Sequence, residues 1–242
     1  MATSFINFST KHAVAESTNL KATTVGNIWN IKAAADIDNG CIVKRGDYVA
    51  PEYYAEATAT TFAGVIIEQA NNGNFRVLVT AIGELEGLVL SVPLIYENFT
   101  SRMADEANFY NAKDDLMRVY ELYVGDVFTV SAEAFTSTPM VGGIVSVSSK
   151  KLAVTDPNAL VNGTTTVVDL AGTDLTYTYN GTAWSLTSGS FSAAGEGYAY
   201  AVTGDSSANI TDAASLLAYV TAKITDKTKA TAGIAITKES TN

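Results

Sequence analysis

A mainly β fold made of two β-rich domains is what this sequence predicts, and three observations carry the prediction. The stretch Arg118–Ser131 alternates outward and inward side chains, pivots on Gly125-Asp126 and alternates again, as a pair of half-buried strands does. Gly40–Val49 repeats the pattern around a second Gly-Asp corner, Gly46-Asp47. Composition then shifts near Lys150-Lys151: Arg45, Arg76, Arg102 and Arg118 are the only arginines, and the Thr-, Ser-, Ala- and Gly-rich remainder has none. The expectation is a strand-pair barrel or sandwich over residues 1–150, and a smaller β domain with one amphipathic helix over 151–242.

Taken in order, residues 1–20 mix Phe5, Ile6, Phe8 and Val14 with small polar residues and read as a first strand or an extended arm. Short strands separated by turn signals follow from Asn27 to about Val147. Phe62–Gln69 and Phe75–Thr80 form the best hairpin, because Asn71-Asn72-Gly73-Asn74 between them accepts positive φ at little cost. Pro93 breaks the apolar run Leu88–Ile95 into an edge strand or two pieces. Ser101–Ala112 contains good helix formers, with Thr100 or Ser101 as cap, and reads as a short helix or a long excursion between strands.

Lys151–Asn158 reads as a linker, with Asp156-Pro157 as a breaker. Beyond it, Asp174–Leu186 alternates about Asn180-Gly181, the residue pair of a type I′ turn. Thr211–Ile224 is the best helix: Ala213, Leu216, Leu217, Val220 and Ile224 fall at helical spacing, and Thr211 with Asp212 suits its start. Gly233–Thr237 adds a last strand.

Bulk numbers exclude several function classes. The chain has 242 residues, 47% hydrophobic and only 17% charged, and its net charge is −10. A nucleic-acid binder needs a basic face to displace counterions from phosphates; 15 basic against 25 acidic residues, with no cluster beyond Lys44-Arg45 and Lys150-Lys151, argue against one. Anionic membranes repel such a chain equally, and no apolar run approaches the ~20 residues of a membrane span. The single cysteine, Cys41, reads as a small buried hydrophobe in a strand. Met-Ala-Thr-Ser-Phe at the start lacks the basic and apolar regions of a secretory signal, so synthesis in a cytoplasm is expected.

Catalytic readings fail for want of partners. The single histidine, His12, lies in the weakly patterned N-terminal segment, and there is no Gly-x-Ser-x-Gly and no phosphate loop. One Cys and one His do not make a zinc site. Asp36-Ile-Asp38-Asn-Gly40 departs from the calcium-loop pattern at its fifth position and at Asp47, and reads as a turn. Asp114-Asp115 suit a loop end. Glu84 and Glu86 share a face only if their segment is extended, and sequence alone does not pair glycosidase carboxylates. No enzyme activity, cofactor or metal is therefore expected. The aromatic residues Tyr177, Tyr179 and Trp184, with Tyr198 and Tyr200 farther on, read as core, with a sugar-stacking platform as the alternative.

The succession Asp38–Asp47, Phe62–Glu68, Asn74–Val79, Val124–Ser131 and Val141–Val147 resembles the capsid decoration (auxiliary head) proteins of tailed bacteriophages, over roughly residues 30–150. The resemblance implies a non-enzymatic virion protein, made in the host cytoplasm, on the capsid exterior, whose partner is the major capsid protein; a second copy of the chain, as a homo-oligomer, is a further partner that the sequence leaves open. No residue-level motif transfers. On that reading residues 1–150 dock through the N-terminal arm and the 98–115 excursion, with Phe5 and Phe8 as apolar contacts and Arg102, Lys113 and Arg118 as charged ones. The competing expectation is a receptor- or glycan-binding module on a virion or cell surface, using Tyr177, Tyr179 and Trp184.

Overall fold

The computed structural model describes residues 5–6, 9–49, 52–56, 61–91 and 105–241. The chain divides into two compact units, Met1–Pro157 and Asn158–Asn242. The division falls at Pro157 and not at residue 150, because Lys151–Thr155 is no linker: it is a strand paired along its whole length with Ile144–Ser148.

Unit 1 contains β1 (Phe5–Ile6), β2 (Ala15–Asn19), α1 (Lys21–Val25), β3 (Ile28–Lys32), β4 (Ile42–Val49), β5 (Glu52–Glu56), β6 (Ala63–Gln69) and β7 (Phe75–Ala81). It continues through β8 (Glu86–Val89), β9 (Phe109–Tyr110), β10 (Leu116–Glu121), β11 (Val127–Val130), β12 (Ile144–Ser148) and β13 (Lys151–Thr155). Five strands close a barrel in the order β10-β3-β5-β4-β8, and six form an open sheet in the order β13-β12-β6-β7-β11-β2. Strand alternation sorts the side chains. Ile31, Val43, Val89, Met117 and Val119 fill the barrel with Cys41, while Ile42 and Leu88 point the other way and pack on Phe62, Ile66, Val77 and Phe128 of the sheet. Unit 1 is thus a barrel with a sheet laid against it.

The two Gly-Asp segments take other roles than the pattern predicts. β10 belongs to the barrel and β11 to the sheet, so Arg118–Ser131 is a crossover between layers and not a hairpin. Alternation reports which faces a strand buries, not which strand it pairs with, and the two cases look alike in sequence. Asp126 fixes this crossover: its buried carboxylate accepts hydrogen bonds from the amides of Tyr123 (2.9 Å) and Lys21 (3.0 Å), the latter opening α1. Gly46-Asp47 is no corner either. It lies inside β4, where the register against β5 shifts between Arg45 and Tyr48, the mark of a β-bulge.

The hairpin β6–β7 forms as expected, with Gly73 at φ +86 in its turn. Residues 11–20 are not an arm: Ala13, Ala15 and Leu20 are core, and β2 is the edge strand beside β11. Pro93 and the residues expected to cap a helix, Thr100 and Ser101, lie outside the described residues. The described part of that excursion is one 3-10 turn, Glu106–Asn108, capped by Asp105 and followed by β9, so no α-helix spans it.

Unit 2 contains β14 (Thr165–Leu170), β15 (Thr173–Tyr179), β16 (Trp184–Ser188), β17 (Tyr198–Val202), β18 (Asp205–Ile210), α2 (Ala213–Lys223), α3 (Lys227–Ala232) and β19 (Ile234–Ser240). Its sheet runs β16-β15-β14-β19-β17-β18, antiparallel except for β14 beside β19. Leu216, Val220, Ile224 and Ala230 cover one sheet face through Val168, Leu175, Tyr177 and Ile236. α2 starts one residue later than Thr211 suggests: Asp212 caps it, in a capping box with Ser215. The second helix, α3, was hidden by its composition, Lys-Thr-Lys-Ala-Thr-Ala, which buries only Ala230. The β15–β16 turn is not type I′, since Gly181 has positive φ but Asn180 does not. Asn180 holds that turn with its side chain, whose oxygen accepts from the amides of Thr182 and Ala183.

Candidate functional site

The polar groups singled out in the sequence are mostly consumed by the fold. Asp36 accepts from the amide of Lys113 (2.9 Å), and Asp38 accepts from the amide of Ala13 and contacts His12, so the calcium-like stretch is a structural turn. No group of three or more potential metal ligands occurs among the described residues. His12 is half-buried: Nδ1 lies 2.8 Å from Asp38 Oδ1, and the ring stacks on Tyr110 at 5.0 Å. Its Nε2 is buried without a hydrogen-bond partner, so the pair lacks the hydroxyl or thiol that would complete a nucleophilic triad. Burial pushes the Cys41 thiol up to about 12, with Asp38 adding to the effect, so the thiolate that would be reactive does not form near neutrality.

Glu84 and Glu86 do not share a face. Leu85 between them takes φ +61, leaving Glu84 exposed and Glu86 only 1% exposed. The Glu86 carboxylate spans two strand entries: one oxygen accepts from the amide of Thr61 (3.1 Å) and the other from that of Gly83 (2.8 Å). It is a strut between barrel and sheet. A pair of catalytic carboxylates is not present at this position.

Asp114 and Asp115 differ in the same way. Asp115 is buried, and its Oδ2 has no hydrogen-bond partner. Burial first, and the neighbouring Asp114 next, hold its pKa above the ordinary 3.8. The folded state therefore binds this proton more tightly than the unfolded one, so the Asp115 contribution to stability rises as pH falls from neutral through the raised pKa. Asp115→Asn, which removes the buried charge and keeps the size of the side chain, is expected to stabilise unit 1 at pH 7. The gain should vanish below pH 3.8, where the aspartate is protonated in both states. Urea unfolding at the two pH values measures it.

Of the expected capsid contacts, Phe8 and Arg102 lie outside the described residues, and Phe5 is placed only by its backbone, in β1 opposite Tyr110. Lys113 is exposed in the turn before β10, and Arg118 is exposed on β10. Both therefore sit on the barrel.

A different surface stands out on the sheet. Backbone register aligns Ile144 with Val65, Val65 with Leu78, and Leu78 with Val127, in one row across β12, β6, β7 and β11. Each of the four faces away from the buried set Val145, Ile66, Val77 and Phe128, on the side that alternation in a one-sided sheet leaves polar. Ile144 is 45% exposed and the other three are half-buried; Ile67, at the bulge in β6, adds a further exposed apolar side chain. The Arg76–Glu68 ion pair (2.8 Å) borders the row. Sequence reading missed this surface, although strands with apolar residues at both parities, such as Ala63–Ile67, carried the signal.

In unit 2 the aromatic residues offered for sugar stacking prove to be core. Tyr177 and Trp184 are buried, and Tyr179, half-buried, packs against Trp184 at 5.4 Å. Tyr177 and Trp184 are thus inaccessible to a sugar, and a platform made of all three rings does not form. Tyr198, in contrast, is 51% exposed and lines a groove of about 450 Å³ with Glu196, Asn209 and Thr211.

Comparison with known protein families, with curated proteins and with solved structures finds no match.

Proposed function

We propose that this chain is a non-enzymatic structural protein of a phage particle, bound to the outer surface of the capsid as a decoration or auxiliary protein. The observation that carries the reading is the apolar row Ile144–Val65–Leu78–Val127 on the outer face of the unit 1 sheet. Contiguous apolar surface on a sheet face is a cost to an isolated protein and marks a docking surface. A face that spans several strands suits a broad, repeating shell better than it suits a small molecule. The net charge of −10 keeps such a protein off packaged DNA. Unit 2 is then the additional module that distinguishes this chain from a minimal decoration protein. The major capsid protein is the proposed partner and the capsid exterior the proposed location.

Co-sedimentation with assembled, empty capsid shells tests the reading. The chain should pellet with shells, and Val65→Lys combined with Ile144→Lys should weaken binding at least tenfold. Deletion of residues 1–8 tests the arm separately, because a longer deletion would remove β2 and the buried Ala13 and Ala15. Failure of the native chain to bind shells, or indifference to the double charge substitution, contradicts the proposal.

A further inference from the structure

We infer that the Tyr198 groove of unit 2 is a binding site for a neutral oligosaccharide. The inference stands apart from capsid docking, which uses a surface of unit 1.

The groove is built by a turn and two strands. Gly195 and Gly197, at φ +91 and +77, fold the chain tightly around Glu196, and β17 and β18 supply Tyr198 and Asn209. The Tyr200 hydroxyl donates to the Ser192 carbonyl (2.7 Å) and anchors the loop that leads into the turn. Lys238 places its ammonium 4.5 Å from the centroid of the Tyr198 ring, which fixes the orientation of an otherwise exposed aromatic side chain. Tyr198 is half exposed, so a ligand can reach the ring on the face that Lys238 leaves open.

These parts match the chemistry of a sugar. The apolar C–H face of a hexose lies on an aromatic ring, and its hydroxyls need planar groups able to accept and to donate. The Glu196 carboxylate accepts, and the Asn209 amide and the Thr211 hydroxyl do both. All three residues are exposed. The volume lies within the 300–1,000 Å³ expected of a small-ligand site. Charge selects the class of sugar. At the groove Glu196 and the Lys238 ammonium offset each other, which suits an uncharged ligand, and the net charge of −10 opposes sulfated, sialylated or phosphorylated glycans. An open, polar-rimmed groove likewise opposes a purely apolar ligand.

The test is a glycan array probed with the full chain, with neutral bacterial wall oligosaccharides in one arm, neutral animal mucin-type oligosaccharides in a second and acidic glycans in a third. Binding in one of the neutral arms is expected, and which arm responds identifies the source. The best binder is then titrated by calorimetry. Tyr198→Ala should weaken it at least tenfold and Asn209→Ala at least threefold, whereas Tyr198→Phe, which keeps the ring, should retain binding. Both positions are exposed, so unchanged melting of the variants should accompany the loss. Absence of any neutral binder, preference for acidic glycans, or affinity unchanged by Tyr198→Ala and Asn209→Ala would overturn the assignment.

Discussion

Replacing Glu86 by alanine is expected to destabilise unit 1 by about 3 kcal/mol, since two amide donors, each costing about 1–3 kcal/mol when left unpaired, lose their acceptor together. Glu86 is buried at the point where β8 of the barrel meets the entry to β6 of the sheet, so the loss is one of layer-to-layer attachment. Glu86→Gln separates this account from a simple packing defect. The amide keeps the size of the side chain but offers one oxygen where the carboxylate offers two, which leaves one backbone donor facing another donor. Its destabilisation should be intermediate. If Glu86→Gln were as stable as the native chain, the two-oxygen strut would be wrong. Chemical denaturation followed by hydrogen exchange at the amides of β6 and β8 measures both variants.

Trp184→Ala should cost unit 2 about 3–5 kcal/mol, the range for removing a buried Trp side chain. Only 4% of Trp184 is exposed; it packs on Tyr179, and its indole N–H donates to the Ile224 carbonyl (3.4 Å) at the end of α2. The variant leaves Trp29 as the sole tryptophan, so fluorescence then follows unit 1 while hydrogen exchange at β15 and β16 follows unit 2. Fast exchange in unit 2 with an unshifted Trp29 transition is the expected result. A fully stable unit 2 would instead mean that Trp184 is a surface platform, as the glycan reading of the sequence required.

Trp184 also shows where sequence reading succeeds and where it stops. Period-two alternation located β15 and β16, and the amphipathic spacing of Leu216, Val220 and Ile224 located α2, because burial imposes those periods directly. Alternation did not separate core aromatics from exposed ones: Tyr177 and Tyr198 read alike as strand residues, and only the covering helices make the first inaccessible. Partner choice was equally hidden. Arg118–Ser131 has the pattern of a hairpin, yet the buried Asp126 directs its two halves into different layers.

The apolar row was missed for a related reason. Ile144, Val65, Leu78 and Val127 are far apart in the chain and become neighbours only through the register of four strands. The contacts read from sequence are the apolar Phe5 and Phe8 of the N-terminal segment and the charged Arg102, Lys113 and Arg118 in and beside one excursion. A surface assembled from one apolar residue per strand has no local signature.

Electron microscopy of the intact particle tests the central proposal most directly. The account predicts density for unit 1 on the shell exterior, with the outer face of β12, β6, β7 and β11 against the capsid. A particle without this chain, or one in which that face points to solvent, would contradict it.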